Sequence, residues 1–239
     1  MNNVEKAIIL AAGKGERMMP LTKTTPKPLI EVLGQPIIEH TIEVLRKKNI
    51  NEIYIVVGYL AEKFDYLVDK YNVNLIYNNK YNTCNNISSL FLARDHLENS
   101  VVLDGDIWIT DPDVIKTEFD YSGYTSIQTS DFSDEWVQYV DENDFVTKCS
   151  RNGGKNGWIL YSISYWNKED AIQLKEDLEN EFQKKQNTDI YWDDVPIFCY
   201  PEKYKLQIKR ALISSFEEFD SINELAIFDS KYLEVKNEH

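Results

Sequence analysis

The feature that most constrains the fold is an apolar segment near the N-terminus that breaks into a glycine-containing loop. Residues 7–11, A-I-I-L-A, predict a buried strand, and the apolar run ends at Gly13 and Gly15. Glycine has no Cβ, so it allows a backbone to approach a ligand closely and to adopt a positive φ angle. Backbone N–H groups in such a loop favour anions. The segment therefore predicts a strand that ends in an anion-binding loop.

The charges around this loop indicate which kind of anion it binds. The chain carries a formal net charge of -14, yet Lys14, Arg17, Lys23 and Lys27 fall within fourteen residues that contain one acid, Glu16. A local positive excess in an acidic protein indicates a phosphate-rich ligand. The alternative is a glycine turn with solvated lysines. The G-x-G spacing alone would favour that alternative, whereas the whole stretch favours a phosphate loop.

The order of residues in this stretch resembles the N-terminal signature of the sugar-phosphate nucleotidyltransferases. The matching residues are G-K-G-E-R-M-M-P-L-T at 13–22 and T-P-K-P-L at 25–29. A Walker loop is absent, and the dinucleotide fingerprint is not completed at Met18. The resemblance implies that the loop binds nucleotide phosphates and that Lys27, in P-K-P, contacts the transferring or acceptor phosphate. The implied phosphate-binding residues are Ala11, Ala12, Gly13, Lys14, Gly15 and Arg17, with Lys14, Arg17 and Lys27 as the catalytic cations.

Bulk properties limit the class of protein. A length of 239 residues, with 43% hydrophobic residues, suits one α/β domain with a small lid. The pI near 4.7 argues against nucleic-acid binding, and no apolar run is long enough to span a membrane. Three widely spaced cysteines, Cys84, Cys149 and Cys199, fit reduced thiols in a cytoplasmic protein better than disulfides or a zinc site. The sequence does not indicate an oligomeric state.

Periodicity predicts two different halves. In the first half, strands and helices alternate, which favours a parallel sheet with crossover helices. In the second half, short strands suggest an antiparallel arrangement. With the resemblance, this pattern predicts a Rossmann-like α/β domain with a mixed, mostly parallel central sheet and a small antiparallel lid. The predicted single domain, 1–239, has a nucleotide-binding half at about 1–120 and an acceptor-binding lid with C-terminal helices at 121–239. The predicted strands are 7–11, 29–32, 53–57, 75–77, 101–103, 124–128, 136–140, 146–149, 158–166 and 205–209, and the predicted helices are 36–48, 61–70, 88–97 and 168–185.

A polar segment, N-N-K-Y-N-T-C-N-N-I-S-S-L, precedes the helix predicted from about Ser88. Its asparagines and serines can cap that helix. They can also read the edge of a base, because an amide offers both a donor and an acceptor. Spacing alone favours capping. The family resemblance implies instead that Tyr81, Asn86 and Ser88 lie near the base of a nucleotide.

Acidic residues follow two predicted strands. The strand at 101–103 ends in D-G-D, Asp104 to Asp106. An acid at the carboxyl end of a parallel strand lies where α/β sheets bind ligands, and its oxygen suits Mg²⁺. A turn aspartate is the alternative. Asp220 lies at another strand-to-helix junction, so Asp106 and Asp220 could share a metal ion. The resemblance implies the same pair as metal ligands and Asp104 as a nucleotide-binding residue.

Aromatic residues lie beside acids in the second half, in D-E-W at 134–136 and Y-W-D-D at 191–194. This combination can bind an ammonium group through cation–π attraction, although any single aromatic residue is more typical of the core. These segments, with V-V-G-Y-L, N-N-K-Y-N-T-C-N-N and F-D-S-I-N, resemble the bacterial CTP:phosphocholine cytidylyltransferases over nearly the whole chain. The resemblance implies Trp136, Tyr191 and Asp194 near choline. The V-E-K-P lysine motif of sugar nucleotidyltransferases is missing; Lys148 lies in that region but outside the motif.

The resemblance implies a reaction in which CTP and phosphocholine give CDP-choline and pyrophosphate with Mg²⁺. A phosphomonoester has a second pKa of about 6, so its dianion attacks without a general base. That agrees with the absence of a plausible catalytic histidine: His40, His96 and His239 also form no metal-ligand spacing, and each is more typical of a structural or exposed residue. Phosphoethanolamine, an aminoalkylphosphonate or a sugar phosphate are alternative acceptors. A non-catalytic nucleotide-binding regulator is the alternative from another class, against which Lys27 and the metal-ligand aspartates argue.

Overall fold

A computed structural model of the chain describes residues 1–233, and residues 234–239, with His239, lie outside the described part. The α-helices are α1 (Ile37–Lys47), α2 (Tyr66–Tyr71), α3 (Ile87–Ala93), α4 (Lys168–Leu178) and α5 (Ile222–Phe228). The strands are β1 (Asn2–Asn3), β2 (Lys6–Ala11), β3 (Glu31–Val32), β4 (Gln35–Pro36), β5 (Glu52–Val57), β6 (Asn74–Tyr77), β7 (Ser100–Asp104), β8 (Ile107–Ile109), β9 (Glu118–Phe119), β10 (Gly123–Thr129), β11 (Val137–Val140), β12 (Val146–Ser150), β13 (Gly157–Trp166), β14 (Lys209–Ala211) and β15 (Phe216–Glu218).

Within residues 1–233, the central sheet is mixed and has nine strands in the order β12-β11-β13-β7-β2-β5-β6, with β10 pairing β13 and β14. Strands β6, β5, β2 and β7 are parallel. Strand β13 runs antiparallel to β7 and continues into antiparallel pairs with β10 and β11. This arrangement confirms the predicted α/β fold with a mixed central sheet and a small antiparallel extension.

The strand order reverses direction at β2, and this reversal locates the ligand site. From β2 the chain adds β5 and β6 on one side, and it then returns to add β7 on the other side. In open α/β sheets, such a switch point leaves a crevice at the carboxyl ends of the two central strands. Strand β2 ends at Ala11, before the glycine loop, and β7 ends at Asp104, which opens D-G-D. The two sequence features therefore meet at one edge of the sheet.

Apolar residues cover both faces of the central strands. Ile8 and Leu10 of β2 belong to the core on the side of α3 and α4, whereas Ile9 and Ala11 belong to the core on the side of α1. Successive side chains of a strand point to opposite faces, so a strand buried on both faces reads as a continuous apolar run. This burial holds the end of β2, and the loop that follows it, in a fixed position.

Several predicted elements have different bounds because tertiary contacts override the local pattern. The predicted strand 29–32 is reduced to β3, since Lys27–Leu29 forms a 3₁₀ turn. The predicted helices 61–70, 88–97 and 168–185 are interrupted, and α4 continues into a π-helical turn at Glu179–Lys184. The predicted strand 205–209 was wrong; β14 begins at Lys209. Alternate burial of Tyr204, Leu206 and Ile208 produced a strand-like pattern.

The described residues also bear on the state of the cysteines and on membrane-spanning segments. The three cysteines are free thiols. None of the helices within residues 1–233 has both the length and the apolar character needed to cross a membrane.

The junction between β15 and α5 brings Asp220 to the same edge of the sheet as Asp106. Strand β15 pairs antiparallel with β8, with Glu218 opposite Ile107. A capping box then begins α5: Glu224 N donates to Ser221 Oγ at 3.2 Å, and Glu224 Oε2 accepts from Ser221 N at 2.8 Å. The same carboxylate oxygen accepts from Asp220 N at 2.7 Å. The cap thus fixes the backbone of Asp220.

We expect Ser221→Ala to lower the free energy of unfolding by about 1 kcal/mol, because it removes the side-chain acceptor at the start of α5. Urea unfolding followed by circular dichroism measures the change. Ser214→Ala is the matched control, since Ser214 is exposed and its hydroxyl makes no hydrogen bond within residues 1–233. Equal stability of the two variants would contradict a structural role for this cap.

Candidate active site

The glycine loop folds back against Lys27. Gly15 has φ +61°, and a Cβ built on it would lie 2.9 Å from Lys27 Cβ and 3.1 Å from Thr22 Cγ2. Thr22 Oγ1 donates a hydrogen bond to Gly15 O at 2.9 Å. Only glycine fits both the left-handed backbone and this close approach. The loop and the T-P-K-P segment therefore form one unit at the carboxyl end of β2.

Lys27 lies between two carboxylates from distant parts of the chain. Its Nζ donates to Asp106 Oδ2 at 2.6 Å and to Asp220 Oδ1 at 2.8 Å, and Arg17 donates to the same Asp220 oxygen at 2.8 Å. Lys27 is 7% exposed. Burial works against its charge, but attraction to Asp106 and the hydrogen bonds to both carboxylates outweigh burial and raise the pKa of Lys27. The ammonium group therefore remains charged.

Three carboxylates form a cluster beside Lys27. Asp106, Glu218 and Asp220 each offer one oxygen, and these atoms lie within 4.8 Å of one another. Asp106 Oδ1 is buried and has no hydrogen-bond partner among residues 1–233. An orphaned buried oxygen beside two further carboxylates suits a hard divalent cation. The predicted pair, Asp106 and Asp220, is thus brought together, and the structure adds Glu218.

Burial and neighbouring acids raise the pKa values of two carboxyl groups in this region. Burial, followed by the charges of Asp106 and Asp193, raises the pKa of Asp104 to about 8. Burial, followed by the charges of Asp106 and Asp104, raises the pKa of Glu218 to about 8. Such shifts arise where like charges are crowded in a poorly solvated place. A cation bound among these groups would favour their ionised forms.

A cavity of about 670 Å³ opens above the glycine loop and the carboxylates. It has the size of a site for a small-molecule ligand. Asn82, Asn85 and Ser89, which the sequence analysis did not name, also line it. The predicted residues that line it are Ala11, Ala12, Gly13, Lys14, Gly15, Arg17, Lys27, Tyr81, Asn86, Asp104, Asp106 and Asp220, joined by Tyr191 from the predicted acceptor site.

Ser88 differs from its predicted placement. Its buried hydroxyl donates to Asn85 O at 2.8 Å and accepts from Asn78 Nδ2 at 2.9 Å, so it faces the protein interior. Its neighbour Ser89 lines the cavity instead. Helix α3 begins at Ile87, which turns adjacent side chains to different sides.

The capping interpretation of the asparagines was also wrong. Asn86 occupies the N-cap position of α3 without a side-chain capping bond. Its Oδ1 accepts from Trp192 N at 2.9 Å instead. Asn85 N donates to Thr188 O at 2.8 Å, and Asn85 Nδ2 donates to Asp189 O at 3.1 Å. The polar segment therefore binds the 188–192 segment to the wall of the cavity.

A second cavity, of about 470 Å³, adjoins the first. The two share six lining residues, among them Arg17, Asp106 and Asp220. The rings of Trp136 and Tyr191 lie in its wall with centroids 5.9 Å apart and planes at 90°. The other lining residues with aromatic or acidic side chains are Asp104, Glu135, Tyr161, Asp193 and Glu218. Aromatic rings and carboxylates around one space suit a cationic ligand.

Asp194 lies behind this cavity and does not line it. It is 2% exposed, its Oδ2 accepts from Tyr191 N at 2.9 Å, and its Oδ1 lies 2.5 Å from Arg151 Nη2. Asp193 lines the cavity in its place, and burial raises the pKa of Asp193 to about 7. Adjacent residues in this tight turn face opposite ways, so sequence spacing alone could not distinguish the two aspartates.

The histidines of the described chain have structural environments, as expected. His40 Nε2 lies 2.7 Å from Ile109 O, and its ring stacks on Trp108 at 3.8 Å. His96 stacks on Tyr54 at 3.6 Å. Both lie outside the two cavities. The prediction for His239 falls outside the described residues.

Comparison with known proteins gives a consistent match. Residues 6–121 match a family model described as nucleotidyl transferase. The chain is 39% identical to a choline-phosphate cytidylyltransferase of Streptococcus pneumoniae over 190 residues, 80% of this chain and 82% of the relative. It is 36% identical to a 2-aminoethylphosphonate cytidylyltransferase of Lancefieldella rimae over 97% of this chain and 96% of the relative. The solved CTP:phosphocholine cytidylyltransferase of Streptococcus pneumoniae superposes with a TM-score of 0.88 at 34% identity, covering 95% of this chain and 98% of that one.

The carboxylate cluster generates a prediction about metal binding. We expect Asp106→Asn to weaken Mn²⁺ binding, measured by electron paramagnetic resonance, by about tenfold or more, because it replaces a charged oxygen ligand. Asp131→Asn is the control, since Asp131 is exposed and lies outside both cavities. Similar Mn²⁺ affinity in both variants would place the metal site elsewhere.

Proposed function

Because this chain belongs to the cytidylyltransferases of the nucleotidyltransferase family, we propose that it transfers the cytidylyl group of CTP to phosphocholine. The products are CDP-choline and pyrophosphate. The observation that carries this proposal is the junction of the two cavities: a basic glycine loop and a cavity lined by aromatic and acidic residues meet at Lys27, Asp106 and Asp220. A triphosphate and a cationic phosphomonoester fit these two environments.

In the first cavity, the backbone from Ala12 to Gly15 holds the β- and γ-phosphates, together with Lys14 and Arg17. Tyr81 and Asn86 lie on the side of the base. Oriented backbone N–H groups and two cations supply fixed charge where the triphosphate is bound. The lining of the cavity by all these residues supports this assignment.

In the second cavity, Trp136 and Tyr191 surround the quaternary ammonium of phosphocholine, and its phosphate points toward Lys27. An oxygen of this phosphate attacks the α-phosphorus of CTP, the new P–O bond forms, and the bond to the bridging oxygen breaks to release pyrophosphate. The attacking phosphate is dianionic near neutral pH, because its second pKa is about 6. The protein therefore needs to orient and neutralise the reactants rather than remove a proton.

The family uses a divalent metal ion, and we propose Mg²⁺ for this chain. Asp106, Glu218 and Asp220 would hold it, and the unpartnered Asp106 Oδ1 supports this assignment. When bound, the ion neutralises charge that develops on the phosphates. Lys27 already engages Asp106 through the other oxygen, Oδ2, so it remains beside the metal ligands to contact the transferring phosphate.

We also propose that residues 1–120 mainly bind the nucleotide and that residues 121–239 mainly bind the acceptor. The glycine loop, Tyr81 and Asp106 in the first cavity, and Trp136 in the second, support this division. Asp220 belongs to the second half of the chain but lines both cavities, so the division is functional rather than a boundary between separate domains.

A panel of acceptors tests the function. With CTP and Mg²⁺, we expect pyrophosphate release with phosphocholine at a kcat/KM about tenfold or more above that with phosphoethanolamine, 2-aminoethylphosphonate or glucose-1-phosphate, since a cation–π site favours a desolvated quaternary ammonium. Preference for 2-aminoethylphosphonate, the acceptor in the name of the Lancefieldella rimae relative, would change the substrate and retain the chemistry. CTP binding without any pyrophosphate release would indicate a regulator.

Lys27→Ala should reduce kcat by about a hundredfold or more, because it removes a preorganised cation at the transferring phosphate. The measurement is steady-state pyrophosphate release, with circular dichroism to verify folding. Lys23→Ala is the control; Lys23 belongs to the same segment and is exposed. Near-normal turnover of a folded Lys27→Ala variant would refute the role of Lys27.

Trp136→Ala should raise the KM for phosphocholine about tenfold or more and leave the KM for CTP within about twofold, because the cation–π contact is lost only for the acceptor. Trp158→Ala is the matched control, since Trp158 lies on β13 outside both cavities. Equal changes in both KM values would identify Trp136 as a packing residue.

A further inference from the structure

A buried ion pair lies behind the aromatic wall of the second cavity. Asp194 is 2% exposed, and its Oδ1 lies 2.5 Å from Nη2 of Arg151, which is 45% exposed at its side chain. Neither residue lines the cavity. A buried carboxylate requires a partner for its charge, and Arg151 provides it from a segment more than forty positions away. The pair thus joins two distant parts of the chain.

Asp194 links the ion pair to the turn that carries Tyr191. Asp194 Oδ2 accepts from Tyr191 N at 2.9 Å, and Asp194 N donates to Tyr191 O at 3.1 Å. These two bonds close a tight turn over 191–194. The carboxylate is therefore hydrogen-bonded through Oδ2 to the backbone of one aromatic residue of the cavity, and Oδ1 forms an ion pair with Arg151 without a hydrogen bond among residues 1–233.

On the other side, the guanidinium group of Arg151 contacts aromatic rings. Its central carbon lies 4.1 Å from the ring centroid of Phe198 and 5.5 Å from that of Trp136. Phe198 in turn packs against Trp136 with centroids 5.2 Å apart and planes at 76°. Planar guanidinium groups stack on aromatic faces in a way that an ammonium group does not. Arg151 therefore contacts the second aromatic residue of the cavity without facing the ligand.

The backbone that carries Arg151 is fixed relative to Trp136. The turn after β12 is bound to Ser133 by two hydrogen bonds, Ser133 N to Gly154 O at 2.8 Å and Gly154 N to Ser133 O at 2.9 Å. Gly153 has φ +75°, and a Cβ on it would lie 2.2 Å from Ser133 O, so the approach requires glycine. This anchoring lies three positions before Trp136 in the sequence.

We infer that Arg151 is a positioning residue: through its ion pair with Asp194 it fixes the ring of Trp136 relative to Tyr191, and so sets the affinity for the ammonium group of the acceptor. This inference rests on the proposed function. It assigns Asp194 to the support of the cavity rather than to the ligand. The charge of Asp194 also matters, because an uncompensated arginine beside Trp136 would repel a second cation at that ring.

The test compares Arg151→Met with Arg210→Met. Arg210 has the same kind of environment outside both cavities: its guanidinium carbon lies 4.9 Å from the ring of Trp158, and Arg210 pairs with Asp144 at 2.6 Å. We expect Arg151→Met to raise the KM for phosphocholine about tenfold, with kcat and the KM for CTP within about twofold. Arg210→Met should leave all three unchanged. Arg151→Lys should recover only part of the loss, because it restores charge but not planar stacking.

A double-mutant cycle separates positioning from general stability. If Arg151 acts through Trp136, then Arg151→Met should change the acceptor KM little in a Trp136→Ala background. Full additivity of the two substitutions would overturn the inference, as would an unchanged KM in Arg151→Met while wild-type protein uses phosphocholine. If the wild-type protein prefers another acceptor, the proposed substrate fails, and the same comparison of KM values for that acceptor decides the role of Arg151.

Discussion

The ammonium group of Lys27, held between Asp106 and Asp220, is the interaction on which the site depends. It joins the segment after the glycine loop, the turn between β7 and β8, and the junction between β15 and α5. A cation that is 7% exposed must have partners for its charge, and removal of one partner from a buried ion pair costs about 3–5 kcal/mol. The pairing therefore fixes three distant segments at the switch point of the sheet, where the two cavities meet.

The charge balance around Lys27 explains why one place can serve both phosphates and cations. Burial, and after it the charges of neighbouring carboxylates, raises the pKa values of Asp104 and Glu218 to about 8. In the proposed function, a divalent ion would favour the ionised carboxylates on one side, and the glycine loop and its cations would stabilise the phosphates on the other. Asp106 and Asp220 line both cavities, so in the proposed function the same acids would face the nucleotide and the ammonium group of the acceptor.

The sequence predicted the parts of this site that have a local signal. An apolar run followed by glycines predicted β2 and its loop, and acids after apolar strands predicted the meeting of Asp106 and Asp220. The sequence did not show which of two adjacent side chains faces a cavity. Ser88 and Ser89, or Asp193 and Asp194, differ by one position, and their orientation depends on where α3 begins and how the 191–194 turn closes. Glu218 could have been predicted as a member of the cluster. It lies two positions before Asp220, and residues two positions apart in an extended segment point to the same face.

The wall that the two cavities share depends on contacts between segments that are distant in the sequence. Asn85 and Asn86 line the first cavity, and their side chains and backbone bind Thr188, Asp189 and Trp192 of the segment that presents Tyr191 to the second. The periodicity of either segment does not predict this contact, because the donors and acceptors of each segment have their partners in the other, which is distant in the sequence. In the proposed function, the base and the acceptor would therefore be recognised on the two sides of one hydrogen-bonded interface between the halves of the chain.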